Sequence, residues 1–486
     1  MLWACVLLPH LALDGVRRRR PPEADESPLA LVTGPAQRRV LLDANAAAQA
    51  AGLHAGQPLL AAQALLPDVA CVDHDPRQDE ALRQLLAAWA YRYSSMVCLE
   101  GEDAIVIEVE ASLGLFGPWP RLERLLREDL RALGLRHRIA MAPTPLGACV
   151  LAAAQDGLAL TDHEQLQRAL ARLPIAQSRL QPPTVATLAA MGLRTLRQLF
   201  ALPRAALARR LGPGLLEHLD RLRGDHPDPR EFYRPPDRFA QRIEFNYEVT
   251  QHPALLFPLR RLANDLAAYL AGRDGGVQRF VVVLEHERDS GEVEGRRVHA
   301  PSDTEVVVGL LAPERDPARL FDLARMRLEC TSMPAPVRAM RLVAEELPPF
   351  VPAGRDLFDD KPVQALPWDA LRERLRARLG EDALYRWSLR ADPRPECVQA
   401  RSVREPVLAA GAWPPRPAWL LPRPVPLRDH SLVVLAGPER IESGWWDGGD
   451  LRRDYYVVQT SQGQRAWAFL PAGESGGAWM LHGWFA

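Results

Sequence analysis

A chain of 486 residues is too long for one hydrophobic core, so its length predicts several domains. The hydrophobic fraction of 47% and the charged fraction of 25% are those of an ordinary soluble globular protein. A net charge of −1 argues against a wholly basic nucleic-acid-binding protein but leaves room for local basic patches. Six cysteines without a CxxC spacing indicate reduced thiols in a cytoplasmic protein and argue against a zinc site.

The first 13 residues are apolar, but Pro9 interrupts them, and the basic run at residues 17–20 follows them instead of preceding them. This is the wrong order for a signal peptide, and the stretch is too short to span a bilayer. We therefore predict a buried first strand with a solvated basic loop behind it. Lys361 is the only lysine, so no lysine before it is available to hold a phosphate or form a Schiff base.

In the first third of the chain, strands are predicted at residues 29–32 and 40–42 and at three further stretches. Residues 103–110 alternate and are rich in β-branched side chains, which favours a strand that is closed by the short apolar turn at residues 113–117. Residues 2–8 and residues 137–141 are predicted as two more strands.

These strands resemble the palm of Y-family (translesion) DNA polymerases. The third palm strand of that family reads Ser-x-Asp-Glu-x-x-x-Asp-Val, with the Asp-Glu pair at the metal site. The match places Asp103 on the Asp and Ala104 on the Glu. In the first strand the family reads Val-Asp-x-Asp-x-Phe-Phe, and here Leu7 and Pro9 replace its two aspartates. Carbon side chains cannot bind a hard cation that requires oxygen, so the resemblance implies a degenerate metal site.

The groups that hold the incoming triphosphate in the family are also replaced. Ala46 and Gln49 stand where the family has a tyrosine and an arginine, and Pro145 and Cys149 stand where it has lysines. Four separate segments thus match the family in frame, and all four lack its metal-binding or triphosphate-binding side chains. A single misalignment would not produce this coordinated replacement.

The resemblance implies an α+β multidomain fold shaped like the right hand of a Y-family polymerase, with additions at the C-terminal end. The expected regions are palm and fingers at 1–162, a helix-hairpin-helix thumb at 163–226, a βαββαβ little finger at 237–348, a segment with a clamp peptide, a short helix and a proline-rich linker at 349–430, and an aromatic module, expected to be a small β domain, at 431–486.

Two arginine-rich regions are candidate DNA contacts. In the thumb region, Arg209 and Arg210 precede a Gly-Pro-Gly turn, Gly212 to Gly214, that can aim backbone N–H groups at a phosphate. The alternative is a plain helical bundle with a solvated basic face. In the little-finger region the candidates are Arg279, Arg288, Arg296, Arg297 and Arg341, and ordinary solvated arginines are an equally open reading.

A proline-flanked segment carries Asp356, Leu357 and Phe358, which resemble the bacterial sliding-clamp peptide Gln-Leu-(Ser/Asp)-Leu-Phe. Gly354 replaces its glutamine. The alternative is that these apolar linker residues pack against a domain of their own chain.

The C-terminal tail is dense in aromatic residues and glycine turns. Exposed clusters of Trp445, Trp446, Tyr455 and Tyr456 suit a protein interface, although a small domain also needs aromatic residues for its core.

The resemblance extends to a polymerase-like, catalytically inactive branch of the Y family. It implies a non-catalytic adaptor in SOS-type translesion synthesis that binds no cofactor. The implied partners are the β sliding clamp, the RecA-like ImuA, an error-prone C-family polymerase, and damaged or primed DNA without sequence preference. The alternatives are an active lesion-bypass polymerase with unusual metal ligands and a non-specific DNA-binding protein without partners.

Overall fold

The computed structural model describes residues 1–20, 27–286, 290–293, 296–299, 302–351, 368–390, 392–402, 415–429, 431–473 and 477–485. The chain forms two compact units, residues 1–378 and residues 379–486. Among the described residues, no helix is long and apolar enough to cross a bilayer.

The palm region, residues 1–162, contains two sheets and the helices that cover them. Its elements are β1 (Trp3–Leu7), α1 (Leu11–Arg17), β2 (Leu29–Thr33), β3 (Val40–Ala44), α2 (Ala46–Ala50), α3 (Leu59–Leu65), β4 (Ala70–Asp73), α4 (Pro76–Ala90), β5 (Val97–Glu100), β6 (Ala104–Glu108), α5 (Leu113–Phe116), α6 (Trp119–Ala132), β7 (Arg138–Ala142) and α7 (Pro145–Ala154). The first sheet has the order β5-β6-β1-β7 and is antiparallel throughout, and the second has the order β3-β2-β4. The three strands predicted for the palm are therefore present and lie side by side.

The thumb region, residues 163–226, is helical as predicted. Its elements are α8 (His163–Ala171), a short 3-10 turn (Ile175–Gln177), α9 (Pro182–Ala190), α10 (Leu196–Phe200), α11 (Arg204–Leu211) and α12 (Pro213–Arg223). The helix starts follow from local sequence. Asp162 caps α8 by accepting the Gln165 N–H at 2.7 Å, and Thr195 forms a capping box with Gln198 at the start of α10.

The little-finger region, residues 237–348, is a four-stranded antiparallel sheet with two helices. Its elements are β8 (Phe239–Val249), α13 (His252–Gly272), β9 (Val277–His286), β10 (Ser290–Val293), β11 (Arg296–His299), β12 (Asp303–Glu314), α14 (Pro317–Glu329) and β13 (Val337–Ala344). The strand order is β12-β9-β13-β8. The predicted βαββαβ order is present, with the β10–β11 hairpin, which the sequence reading missed, inserted between its second and third strands.

The helix after the predicted clamp peptide, α15 (Trp368–Leu379), docks on the little-finger region. Its Glu373 is 3% exposed and accepts the backbone N–H of Leu311 at 2.8 Å and a hydrogen bond from Arg319. The arginine supplies the charge that a buried carboxylate requires. The helix is therefore fixed to unit one by a polar contact and not by a wide apolar face.

The unit at residues 379–486 is a β module, as predicted for the tail. Its elements are the 3-10 turns Glu381–Ala383 and Pro395–Cys397 and the strands β14 (Arg386–Leu389), β15 (Gln399–Ser402), β16 (Trp419–Pro426), β17 (Val433–Ser443), β18 (Leu451–Gln459), β19 (Arg465–Pro471) and β20 (Met480–Trp484). The main sheet has the order β16-β20-β19-β18-β17.

The sequence predicts that the proline-rich stretch at residues 393–426 forms no packed core of its own. Its last part, β16, is an edge strand of a sheet that later strands complete. Proline is tolerated at a sheet edge because an edge strand leaves half of its backbone groups unpaired. Pro422, Pro424 and Pro426 thus fit a strand that terminates the sheet.

A stacked aromatic cluster forms the core of this module. The ring of Tyr455 lies 4.0 Å from that of Trp467, and its hydroxyl is 2.7 Å from Nδ1 of His482. His482 is fully buried, and this burial lowers its pKa. The imidazole is therefore held neutral in the core.

One hydrophobic core joins the palm region to the little-finger region. Helix α13 crosses α4 so closely that a Cβ on Gly272 would lie 1.9 Å from the carbonyl oxygen of Ala88. Beside this crossing, Nη2 of Arg18 donates to the buried carboxylate of Asp265 at 2.5 Å. The position of the little-finger region is thus fixed by backbone contact and by a buried ion pair.

We predict that Gly272→Ala destabilises unit one by about 1–3 kcal/mol, because the added methyl group forces α13 away from α4. Denaturant unfolding of the full chain measures the change. Gly309→Ala is the matched control, since no atom lies within 4 Å of its Cβ position, and we expect a change within about 0.5 kcal/mol. Equal effects of the two substitutions would contradict the close crossing.

Candidate functional site

The register of the palm sheet brings two predicted metal-ligand positions together. Leu7 on β1 pairs with Ala104 on β6, and the N–H of Leu8 donates to the carbonyl oxygen of Asp103 at 2.7 Å. Leu7 is 5% exposed and Ala104 is 2% exposed. Two positions that are 97 residues apart in the sequence are therefore neighbours on one buried face of the sheet.

The residues on this palm face do not fit a divalent metal ion. The face carries Trp3, Cys5, Leu7, Ala104 and Val106, and it forms one core with α7 and the thumb helices. In the part of the chain that the structure describes, no group of three or more His, Cys, Asp or Glu residues could hold a metal ion. Magnesium requires several oxygen ligands in near-octahedral geometry, and among the residues of β1 and β6 on this face only the buried Glu108, which accepts the N–H of Glu110 at 2.9 Å, carries a carboxylate. Pro9, which replaces the second aspartate of the first strand, lies just beyond β1 and is exposed.

The carboxylate that the family match places on a metal ligand, Asp103, is already paired. Oδ1 of Asp103 accepts a hydrogen bond of 2.6 Å from Nη2 of Arg179. The Arg179 side chain is 18% exposed and that of Asp103 is 46% exposed. Sequence reasoning did not single out Arg179, because it belongs to no motif and lies 76 residues from its partner.

The four positions that replace triphosphate contacts carry no charged side chain, and Cys149 is fully buried in α7. Ala46 is exposed in the first turn of α2, and the amide of Gln49 donates to the backbone carbonyl of Ala44 at 2.8 Å. Pro145 is buried at the first position of α7, directly after the cap residue Thr144. A lysine at that position would be buried against the sheet, so the site of a former phosphate contact is now part of the core.

The thumb hairpin presents a basic surface with a helix start beside it. Arg209 and Arg210 are exposed in the last turn of α11. Gly212 has a φ of +84°, and its N–H donates to Ala208, so it is not free to contact a phosphate. Gly214 lies in the first turn of α12, and no atom is within 4 Å of its Cβ position. The first-turn N–H groups of a helix can donate to a phosphate, and the two exposed arginines end the helix that precedes this turn.

The predicted little-finger contacts divide into two kinds. Arg279 on β9 is exposed. Arg296 and Arg297 lie on β11, but their side chains and Arg288 are outside the described residues.

Arg341, by contrast, belongs to a network of ion pairs among side chains of the little-finger sheet. Nε of Arg341 lies 3.7 Å from Oε1 of Glu285. The other oxygen of this carboxylate, Oε2, lies 2.9 Å from Nη2 of Arg242. A second carboxylate, Glu244, lies 2.8 Å from Arg242. These two arginines are therefore partly neutralised and differ from Arg279.

The predicted clamp peptide, Asp356 to Phe358, lies outside the described residues, but both ends of its segment are anchored. On one side, the N–H of Phe350 donates to Asp274 at 3.1 Å, and the guanidinium of Arg315 lies 4.3 Å from the Phe350 ring. On the other side, α15 is held through Glu373. The segment is thus bounded on both sides by contacts with the little-finger region.

Two exposed tryptophans form an aromatic tip on the turn between β17 and β18. Trp445 is 78% exposed and Trp446 is 59% exposed, and their rings meet edge to face at 5.6 Å. The guanidinium of Arg394 bridges Asp392 and Asp447 with four hydrogen bonds of 2.7–3.0 Å and so fixes the turn. These carboxylates also raise the pKa of Arg394 above its ordinary value.

Glycine at two positions of this turn is required by close approach. A Cβ on Gly444 would lie 2.2 Å from the carbonyl oxygen of Gly449, and a Cβ on Gly449 would lie 2.7 Å from Arg394. The turn therefore excludes side chains beneath the aromatic tip while it exposes the two tryptophans above it.

The two tyrosines of the tail differ from the tryptophans. Tyr455 is fully buried in the core of the module, and Tyr456 packs edge to face on Trp479 at 5.2 Å. The sequence left both an interface and a core role open for the aromatic tail. The structure gives the core role to Tyr455 and exposes Trp445 and Trp446.

Comparisons with known proteins agree on one family. Residues 13–153 match the impB/mucB/samB family. Protein ImuB of Caulobacter vibrioides (strain NA1000 / CB15N) is 32% identical over 476 residues, which cover 89% of this chain and all of that protein. DNA polymerase IV of the same species is 26% identical over 381 residues, covering 76% of this chain and 89% of that protein.

Solved structures of Y-family polymerases are also similar to this chain. A binary complex of Dbh DNA polymerase has a TM-score of 0.41 at 16% identity and covers 71% of this chain and 98% of that one. DinB from Sulfolobus solfataricus has a TM-score of 0.41 at 16% identity, covering 72% of this chain and all of that one.

The similarity to Protein ImuB extends over 89% of this chain and over the whole of that protein. The chain therefore belongs to the ImuB family of Y-family polymerase-like proteins.

Proposed function

We propose that this protein is a non-catalytic adaptor in SOS-type translesion DNA synthesis and induced mutagenesis. It links the β sliding clamp, a RecA-like ImuA and an error-prone C-family DNA polymerase at damaged or primed DNA. Membership in the ImuB family supports the DNA-damage-related role. The observation that carries the absence of catalysis is the burial of Leu7 and Ala104 on an apolar palm face.

Nucleotidyl transfer by two metal ions needs carboxylates that hold both ions against the attacking and leaving oxygens. Of the two carboxylates at this part of the palm, Asp103 is paired with Arg179, and the buried Glu108 accepts the N–H of Glu110 at 2.9 Å. A single carboxylate whose charge is already balanced by a guanidinium is a poor magnesium ligand. The palm thus serves as a folded support on which other surfaces are mounted.

Several weak contacts on one chain suit an adaptor, because linkage converts the second binding step into an intramolecular one. The thumb surface of Arg209, Arg210 and Gly214 and the exposed Arg279 are the proposed DNA contacts. The segment with Leu357 and Phe358 is the proposed clamp contact. The aromatic tip is the proposed protein contact.

If the palm is inactive, as proposed, the purified full chain should incorporate no nucleotide opposite a template in primer extension with Mg²⁺ or Mn²⁺. Asp103→Ala is expected to change nothing, because its carboxylate holds no metal ion. An active Y-family polymerase serves as the positive control on the same primer and template. Incorporation by the wild-type chain that Asp103→Ala abolishes would instead favour an active polymerase with unusual ligands.

The clamp proposal predicts that Leu357→Ala with Phe358→Ala weakens binding to the β clamp by about tenfold or more, since two apolar anchors leave the pocket. Surface plasmon resonance with immobilised clamp measures this. Val363→Ala with Leu366→Ala, in the same segment, is the matched control and should bind like wild type. Clamp binding that survives the first pair, or an equal loss with the control pair, would remove the peptide from the proposal.

If the aromatic tip is the protein contact, Trp445→Ala with Trp446→Ala should reduce the free energy of binding to ImuA or to the C-family polymerase by about 2 kcal/mol or more. This is a roughly thirtyfold increase in the dissociation constant. Exposed aromatic anchors on a rigid turn lose little entropy on binding, so their removal is costly. Binding to each purified partner is measured separately by calorimetry.

Trp419→Ala is the matched control for the tip, because Trp419 is 70% exposed on the same module but lies on β16. It should bind both partners like wild type. If the tip double variant binds both partners at wild-type strength, the tip is not the protein contact.

A further inference from the structure

Arg179 connects the thumb region to the degenerate palm. Its Nη2 lies 2.6 Å from Oδ1 of Asp103, and its charge also acts on the thiols of Cys5 and Cys149. Both cysteines are fully buried on the palm face that carries Leu7 and Ala104. Burial acts to lower the pKa of the Arg179 guanidinium, but Cys149 and Asp103 outweigh it and hold that pKa above its ordinary value. The guanidinium is therefore a fixed positive charge at the margin of the former active site.

The backbone is held so that this side chain reaches the palm. Arg179 has a φ of +56°, a left-handed conformation that costs a residue with a Cβ about 1 kcal/mol or more. The preceding Ser178 is fully buried, and its carbonyl oxygen lies 2.8 Å from Nε2 of His218. The following residue, Leu180, packs against the same core as the palm face. Contacts on both sides thus keep the unfavourable conformation in place.

The pairing partner is the residue that the family match places on a metal ligand. Asp103 directly precedes Ala104, which lies beside Leu7 in the sheet. A carboxylate at this position in an active polymerase faces divalent cations. Here the nearest positive charge comes from the chain itself.

We propose that the Arg179 guanidinium is the built-in cation of this palm. It takes the charge position of a divalent metal ion beside Asp103, and together with Leu180 it closes the palm face to metal ions and nucleotides. The inference deepens the proposed loss of catalysis, but closure of the face is a separate physical property that is tested without a polymerase assay.

The chemistry of the two cations differs in a way that suits a closed face. A guanidinium donates hydrogen bonds in a fixed plane, carries a permanent charge and accepts no ligands. A magnesium ion keeps water and binds phosphate oxygens at its open positions. Replacing the ion by Arg179 therefore balances Asp103 without leaving a place for a triphosphate.

The first test measures how well the palm face is closed. A thiol reagent is applied to the full chain under native conditions, and the modified peptides that contain Cys5 and Cys149 are quantified by mass spectrometry over time. We expect Arg179→Ala to raise the labelling rate of these two buried thiols by about tenfold or more, because local opening of the face becomes easier. Unchanged rates would overturn the proposal.

The matched control is Arg204→Ala, which removes another arginine of the thumb region. Arg204 pairs with Asp220 at 2.6 Å on the surface and does not contact the palm face. This variant should label Cys5 and Cys149 at the wild-type rate. A rise equal to that of Arg179→Ala would mean that any lost ion pair loosens the thumb, and it would also overturn the proposal.

The second test asks whether Arg179 occupies the cation position. Leu7→Asp with Ala104→Glu restores the two lost carboxylates, and Mn²⁺ binding by the full chain is measured from the paramagnetic resonance signal of the free ion. We expect no binding by this variant and clear binding when Arg179→Ala is added. Mn²⁺ binding of equal strength with and without Arg179 would overturn the proposal. Because this variant buries new carboxylates, failure to fold leaves the decision to the labelling test, which uses folded single variants.

Discussion

Burial of one face of the palm sheet is the constraint on which the rest of this structure depends. The face that carries Leu7 and Ala104 packs against α7 and the thumb helices, and the apolar area removed from water stabilises the fold by about 25 cal/mol per Å². Carboxylates on such a face lose their hydration and require a paired cation or hydrogen-bond donors, as the buried Glu108 accepts the N–H of Glu110 at 2.9 Å, and a metal site needs several of them. A catalytic metal site and a packed core therefore cannot share this face. Once the ligands are replaced by carbon, the same surface can hold the thumb on the palm.

The little-finger region is attached to the opposite side of the sheet by the same kind of packing. Residues such as Val6 and Ile107 face α4, and the core continues through the α4–α13 crossing into the sheet of β8 to β13. Thumb, palm and little-finger regions thus belong to one compact unit whose internal positions are fixed by buried contacts. For an adaptor this matters because surfaces on a rigid support keep their spacing, and ordering them on binding then costs little entropy.

Most of the regular elements could be predicted from the sequence, because their patterns are local. The strands predicted at residues 2–8, 103–110 and 137–141 are present as β1, β6 and β7. The four-residue strands β4 and β5 and the β10–β11 hairpin were missed, since a stretch this short carries almost no periodic signal.

The parts of the site that depend on distant neighbours could not be predicted. The sequence indicated that Leu7 and Ala104 replace metal ligands, but their burial depends on the thumb helices that pack above them. Arg179 is one of many arginines, and its role depends on a left-handed backbone and on a partner 76 residues away. Tyr455 and Trp446 come from the same aromatic stretch, and the pairing of β18 with β19 buries the first while the turn exposes the second.

The distribution of charge explains why the proposed adaptor needs more than one contact. On the little-finger sheet, Arg242 and Arg341 share Glu285, so a phosphate would have to compete with a carboxylate that is already in place. Exposed ion pairs of this kind are worth about 0–1 kcal/mol each, so the competition is small but lowers every contact that depends on them. Among the candidates whose side chains the structure describes, Arg209, Arg210 and Arg279 are exposed, and their attraction to DNA falls as salt rises. Weak, salt-sensitive DNA contacts become useful when a second attachment raises the local concentration of DNA, and in the proposed function the clamp contact is that attachment.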